Sequence, residues 1–311
     1  MINSIDDRLP PMVSVVIPTK NRAESLAHAL LAIRGQDYEH FEVIVVDNGS
    51  TDNTPDIITQ YEAKCVHNPI FGISRSRQMG IDSACGEIIA VCDDDSVPEP
   101  DWISQLVRRL AADDALGLIG GKIIQVGFPE DKGMGKIGQN GIISFVTNPQ
   151  EAHYFASSNQ GIRKAAIDAI GGYDLFFREA YEEVDLIFRL RDKGFHIDYE
   201  PLAKVRHVNP GNTFRKGHYF FDLQLMRLYF CMRHYRPHSW VEWSQFLLIE
   251  WKMVCKELRE TPYKFYDAGR KREFRRWIDL GRRVFNTITA RLAIPWLLSQ
   301  VHQQQKKEAA G

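Results

Sequence analysis

The first third of the chain repeats one pattern: a short β-branched apolar run, a polar break, then apolar residues at helical spacing. Residues 13–17 form such a run, which ends at Pro18. The segment 22-RAESLAHALLAIR-34 follows, with Leu26, Leu30 and Ile33 on one face of a helix that Gly35 stops. The run 41-FEVIVVD-47 predicts a second buried strand carrying Asp47 at its carboxyl end, and NGSTDNTP leads into a second helix. A further apolar run, Ile88 to Cys92, stops at three consecutive carboxylates, Asp93, Asp94 and Asp95. Pro98 and Pro100 then break the chain, and Asp101 is placed to cap a helix starting at Trp102. This alternation predicts an α/β fold with a mostly parallel sheet and right-handed crossovers. Ligands of such sheets sit beyond the carboxyl ends of the strands, so Pro18–Arg22, Asp47 and Asp93–Asp95 are expected to line one crevice.

Three adjacent carboxylates repel one another, and a fold that gathers them at a strand end normally needs a cation. Hard oxygen ligands suit Mg²⁺ or Mn²⁺, which complete their shells with water and phosphate oxygens. A solvated acidic turn is the plainer reading of the same residues. No G-x-G-x-x-G follows the first run and no G-x-x-x-x-G-K-[ST] occurs, which argues against a dinucleotide-binding dehydrogenase and a P-loop enzyme. A diphosphate in this crevice would be held by metal and side chains. Between the second and third runs lie Arg75 and Arg77, readable as solvated arginines at a helix start or as one arginine over a nucleotide.

Residues 215–300 change character. The runs 219-YFFDLQLMRLYFCMRHY-235 and 240-WVEWSQFLLIEWKMVCKEL-258 are helical, aromatic and interrupted by basic residues, and RKREFRRW (270–277) is basic. Composition sharpens this contrast. The net charge is −1, but residues 211–311 carry 19 Lys+Arg against 9 Asp+Glu, leaving 20 against 31 in residues 1–210. A basic tail with tryptophans suits an anionic membrane interface; packing on the catalytic domain or on another subunit is the alternative. No recognised nucleic-acid-binding motif accompanies the charge. Five cysteines without a C-x-x-C pair speak against a disulfide framework and a structural zinc site. With no signal-peptide pattern in MINSIDDRLPPM and no run of 18 apolar residues, the expected location is cytoplasmic, with peripheral contact to the membrane's cytoplasmic face.

Five segments in order, VSVVIPTKNR, FEVIVVDNGSTDNT, N-P-x-x-G-x-S-R-S-R-Q-x-G-I, CDDDSVPEPDW and 181-YEEVDLIFRLRDKG-194, resemble the motifs of the family 2 glycosyltransferases. The resemblance runs to about residue 210 and implies a GT-A nucleotide-sugar fold over residues 12–212, after a tail at 1–11 and before a basic amphipathic helical region at 213–311. It also implies a non-processive, inverting transfer of one sugar from a UDP-, GDP- or dTDP-linked donor to a glycan or lipid-linked acceptor, with Mn²⁺ or Mg²⁺, in polysaccharide or glycoconjugate synthesis.

Carried over by position, Pro18, Thr19, Asn21 and Arg22 fall in the loop beneath the nucleotide, and Asp47 holds base or ribose. Arg77 faces the nucleotide, while Gln78 stands where the family more often has Asn. Asp93 and Asp95 are the outer members of the metal-binding triplet, Asp95 foremost, and Asp94 touches sugar or ribose. His207 completes the metal shell. The motif 182-EEVDL-186 supplies the base, Glu183, with Glu182 as rival and Asp185 supporting the helix start. Asn159, Gly172 in the Gly171–Asp174 turn, and Trp102 lie on the acceptor side. The glycine-rich stretch 127–141 reads as a loop that closes over the site or as a surface insertion. Glu273, Arg276 and Trp277 resemble the Q-x-x-R-W signature of processive synthases without its glutamine, which favours single transfer. The competing activities are a sugar-phosphate nucleotidyltransferase and a catalytically silent sugar- or lipid-binding module.

Overall fold

A computed structural model describes residues 10–70, 72–125, 131, 133–208, 219–235, 239, 242–255, 259 and 288–310. Most of the tail 1–11, part of the stretch 127–141 and the basic run 270–277 lie outside the described residues, and so does the Q-x-x-R-W-like segment. The chain divides into two compact units, one made of 1–136, 145–178 and 182–211, the other of 137–144, 179–181 and 212–311.

The first unit holds an eight-stranded sheet. Its strands are β1 (Val13–Thr19), β2 (Phe41–Asp47), β3 (Lys64–His67), β4 (Ile88–Cys92), β5 (Ser96–Pro98), β6 (Leu116–Gln125), β10 (Asn159–Arg163) and β11 (His196–His207), in the spatial order β3-β2-β1-β4-β10-β6-β11-β5. Three short strands, β7 (Met134–Ile137), β8 (Ile143–Phe145) and β9 (Tyr154–Phe155), form a separate small sheet, so the glycine-rich stretch contains a strand. The helices are α1 (Ala23–Arg34), α2 (Thr54–Gln60), α3 (Ile73–Asp82), α4 (Trp102–Ala111), α5 (Lys164–Asp168) and α6 (Glu182–Asp192), with α7 (Tyr219–His234) in the second unit.

Strands β3, β2, β1 and β4 run parallel to one another. The other half is mixed: β10 runs antiparallel to β4 and β6, and β11 is parallel to β6 but antiparallel to β5. Every residue of β1 and β4 is buried, because both faces of the sheet are covered. Val13, Val15 and Ile17 join Leu26, Leu30, Ile33, Trp102 and Leu106 in one core. Val16 points the other way, toward α3, where a Cβ on Gly80 would overlap its Cγ1. A bulkier residue there would push α3, and the site residues it carries, off the sheet.

Asp101 stands at the start of α4 but makes no side-chain capping bond; its Oδ2 accepts from Gln105 Nε2 at 2.8 Å. In the second unit α7 packs against a helix over Ile294–Ala310. Glu250, from helical residues 242–255, is buried there between Arg227 (2.6 Å) and Arg291 (2.8 Å). Among the described residues no helix is long and apolar enough to cross a membrane.

Candidate active site

Parallel pairing fixes where the polar residues emerge. Thr19 lies opposite Asp47 at the ends of β1 and β2, and β4 delivers Asp93–Asp95 beside them. Strand β5, which begins directly after the triplet, pairs with β11 so that His207 faces Ser96. The backbone N–H of Val208 donates to the Asp95 carbonyl at 3.0 Å, and His207 Nε2 lies 3.0 Å from Asp95 Oδ1. One ligand atom from each of Asp93, Asp95 and His207 falls within 4.8 Å of the others. Two carboxylate oxygens and an imidazole nitrogen make a donor set that fits Mn²⁺.

The triplet's three members have different neighbours. Asp94 is buried, accepting from Thr19 Oγ1 at 2.7 Å and from Arg22 Nη1 at 2.9 Å, so both of its oxygens are engaged within the protein. Burial raises its carboxyl to about 7 against the opposing pull of Arg22 and Thr19. Burial also raises Asp93, although Arg77 opposes it. Burial pushes Asp95 the same way, but the bonds and charges of His207 and Arg22 outweigh it and hold that carboxyl low. The bond to Asp95 in turn raises His207 against its burial. Arg22 therefore sits on the carboxylates, with Nη1 also 2.5 Å from Asp95 Oδ2. Asp47 Oδ1 accepts from the N–H and the Oγ of Ser50 at 2.9 and 2.6 Å, while Asn21, at φ +52°, accepts from Thr51 N–H at 2.7 Å. The Asp47 bonds tighten the loop after β2, and the Asn21 bond braces it against the loop after β1.

Arg77 differs most from its expected place. It is 2 % exposed, and its guanidinium donates to Glu182 Oε1 at 2.6 Å and to Asp93 Oδ1 at 3.1 Å. Burial works against its charge, yet Glu182 and Asp93 more than compensate and raise its pKa. A cation so enclosed is not open to a nucleotide; it joins Asp93 to the first residue of α6. Glu182 is thereby engaged, whereas Glu183 is only half-buried, with a shielded Oε2 that has no hydrogen-bond partner. Burial, then repulsion from Glu182, pushes the Glu183 carboxyl well above the ordinary range. Tyr173, whose phenol is raised mainly by burial, lies in the electrostatic reach of Arg77, Glu182, Glu183 and Arg189.

Three other expected site residues belong to the framework. Asn159 and Trp102 are both fully buried, and Trp102 Nε1 donates to Asn159 Oδ1 at 2.8 Å. The Asn159 amide donates to the carbonyls of Lys122 and Ala203 at 3.0 and 2.9 Å, tying β10 to β6 and β11. Neither side chain is open to an acceptor. Asp185 is also fully buried, accepts from Arg189 Nε at 2.7 Å, and is closed to substrate; Arg189 Nη1 reaches the Ile170 carbonyl at 2.9 Å. Gly172 lies at φ +78°, and a Cβ there would overlap Gln78 Oε1. Gln78 uses that oxygen to accept from Tyr173 N–H at 2.8 Å, so it clamps the Gly171–Asp174 turn onto α3. Nothing in the local sequence marks Gln78 for this task, because its partner is 95 residues away.

The family model for glycosyl transferase family 2 matches residues 14–185, more than half of the chain. The chain belongs to glycosyltransferase family 2. EpsH of Bacillus subtilis strain 168 is 27% identical over 277 residues, covering 86% of this chain and 73% of EpsH. Other curated relatives match over shorter spans, the chain covering 17% to 50% of their length. Among solved structures, the mannosyltransferase PcManGT of Pyrobaculum calidifontis, in complex with GDP-Man and Mn²⁺, superposes with a TM-score of 0.57 over 93% of this chain and 88% of that one. GalNAc-T7 with UDP, GalNAc and Mn²⁺ gives 0.61 over 71% and 48%. At 15% identity each, these two share the GT-A fold with this glycosyltransferase. The mixed half of its sheet is part of that fold.

Proposed function

We propose that this glycosyltransferase moves one sugar from a nucleoside-diphosphate donor to an acceptor hydroxyl with inversion, at the crevice beyond β1, β2 and β4. The observation that carries the reading is the convergence of Asp93, Asp95 and His207 within 4.8 Å at the carboxyl edge of the sheet. The Mn²⁺ in the complexes of PcManGT and GalNAc-T7 supports the same ion here. A divalent cation held by these three residues would supply counter-charge for a leaving diphosphate. Asp47 and the Asn21–Ser50 loops hold the nucleoside, and Arg22 is positioned to exchange its carboxylate partners for phosphate oxygens when a donor arrives.

Glu183 is the base in this scheme. Its carboxylate takes the proton as the acceptor oxygen bonds to the anomeric carbon, and the bond from that carbon to the diphosphate oxygen breaks on the opposite face. A carboxyl raised by burial is a better base near neutral pH than an exposed glutamate. Glu182, spent on Arg77, is the poorer candidate.

The second unit meets an anionic lipid surface in this reading. Residues 242–255 bury Phe246, Glu250 and Val254 on one side and expose Leu247, Leu248 and Trp251 on the other, in the part of the chain with the basic excess. That placement suits an acceptor presented at a membrane, such as a lipid-linked glycan. Thermal-shift measurements with UDP-, GDP- and dTDP-sugars, each with and without Mn²⁺, test the donor site. Stabilisation by one nucleotide class that requires Mn²⁺ supports it; stabilisation by none, or equally without metal, overturns it.

A further inference from the structure

Among the described residues, Arg77 is the side chain that touches both Asp93 of the acidic triplet and the start of α6; its contact with Glu182 is buried and its contact with Asp93 is part-buried. Its two terminal nitrogens are divided between Asp93 (3.1 Å) and Glu182 (2.6 Å), while its Nε and Glu182 Oε2 have no partner. Side-chain exposure is 3 % for Arg77 and 7 % for Glu182, so water screens this pair poorly. Asp93 is 31 % exposed and is the end of the chain of contacts that faces the crevice.

A buried cation shared by two carboxylates divides its field between them. Whatever weakens its hold on one strengthens its pull on the other. We propose that Arg77 is a positioning residue that couples divalent-ion binding at Asp93 to the seating of Glu182, and through the first turn of α6 to the orientation of Glu183. This rests on the assignment of Asp93, Asp95 and His207 as metal ligands and of Glu183 as base. When a divalent ion draws on Asp93, Arg77 leans on Glu182 and fixes the helix start. With no ion present, Asp93 competes for the same guanidinium. The base is then best placed when the donor's ion is in position, which orders donor binding ahead of proton transfer.

The decisive variant is Glu182→Gln, which keeps an oxygen for the Arg77 hydrogen bond but removes the charge. Arg77 then acts on Asp93 with less compensation, so a divalent ion meets stronger competition. Calorimetric titration of Mn²⁺ without any nucleotide is expected to show affinity about fivefold weaker, or more, in this variant than in the native protein. Glu183→Gln, one position along and without a bond to Arg77, is expected to leave Mn²⁺ affinity within about twofold. Lys in place of Arg77 offers one nitrogen where Arg77 gives Asp93 and Glu182 one each; in an Arg77→Lys background the Glu182→Gln change should no longer alter Mn²⁺ affinity.

Unchanged Mn²⁺ affinity in Glu182→Gln overturns the coupling, and that result stands whether or not the arginine variant folds. If that occurs while Glu183→Gln loses transfer and Glu182→Gln keeps it, the coupling fails and the proposed function survives. If Glu182→Gln loses transfer by about 10²-fold or more with native Mn²⁺ affinity while Glu183→Gln keeps transfer, Glu182 is itself the base, and both the coupling and the assignment of Glu183 fail.

Discussion

At the scale of single residues, the site is decided by which carboxylates are already spoken for. Asp94, Asp185 and Glu182 each pair with an arginine, Arg22, Arg189 and Arg77 respectively, whereas Glu183 combines partial exposure with a shielded, unpartnered oxygen. Glu183→Gln is therefore expected to retain donor affinity and to lower transfer by about 10²-fold or more, measured as separate Kd and kcat values. The pH dependence follows from the direction of its shift. A base acts only when deprotonated, and burial followed by Glu182 raises this carboxyl, so kcat/KM should climb with pH along an acid limb well above the ordinary glutamate range. An acid limb at ordinary glutamate pH would place the base elsewhere. The acidic triplet is visible in the sequence because its members are adjacent. The arginines that answer it are not, since Arg22 and Asp94 are 72 residues apart and Arg77 and Glu182 are 105 apart.

At the scale of elements, the parallel half of the sheet is legible from the chain because β1, β2 and β4 are predominantly apolar, β-branched runs, with amphipathic α1 following β1. The mixed half is not. Strand β10 reads NQGIR, β6 contains Gly120 and Gly121, and β11 has exposed residues scattered through it, so none shows a strong period. Their pairing is held instead by Asn159, whose amide joins three segments, and by close approaches such as Phe155 over Gly120. Asn159 and Trp102, which the motif order places near an acceptor, are fully buried and bonded to each other at this junction. Asn159→Ala should cost about 2–4 kcal/mol in urea unfolding, because it leaves two buried carbonyls and an indole N–H unpaired. Gly172→Ala should cost about 1–3 kcal/mol from its φ and its overlap with Gln78. A loss below about 0.5 kcal/mol in either would mean that the turn or the strand junction relaxes freely.

At the scale of the whole molecule, the charge is divided between an acidic first part and a basic second part. Trp251 is 63 % exposed and Leu247 and Leu248 are 51 % exposed, which leaves an apolar strip open among the described residues. Trp251→Glu should lower co-sedimentation with vesicles rich in phosphatidylglycerol by about tenfold, with little binding to phosphatidylcholine vesicles in either protein. Equal binding to both lipids would remove charge from the account; no binding to either would turn the strip toward a protein partner.

In the proposed reaction, the acidic end of β4 holds a divalent ion against a donor diphosphate. Anomalous diffraction from crystals grown with Mn²⁺ and UDP or GDP tests it most directly. The expected result is one manganese peak in contact with Asp95 and His207, a nucleotide diphosphate on its open side, and Arg22 moved from the carboxylates toward phosphate. A bound nucleotide with no manganese peak, and with Arg22 still on Asp94 and Asp95, would contradict it.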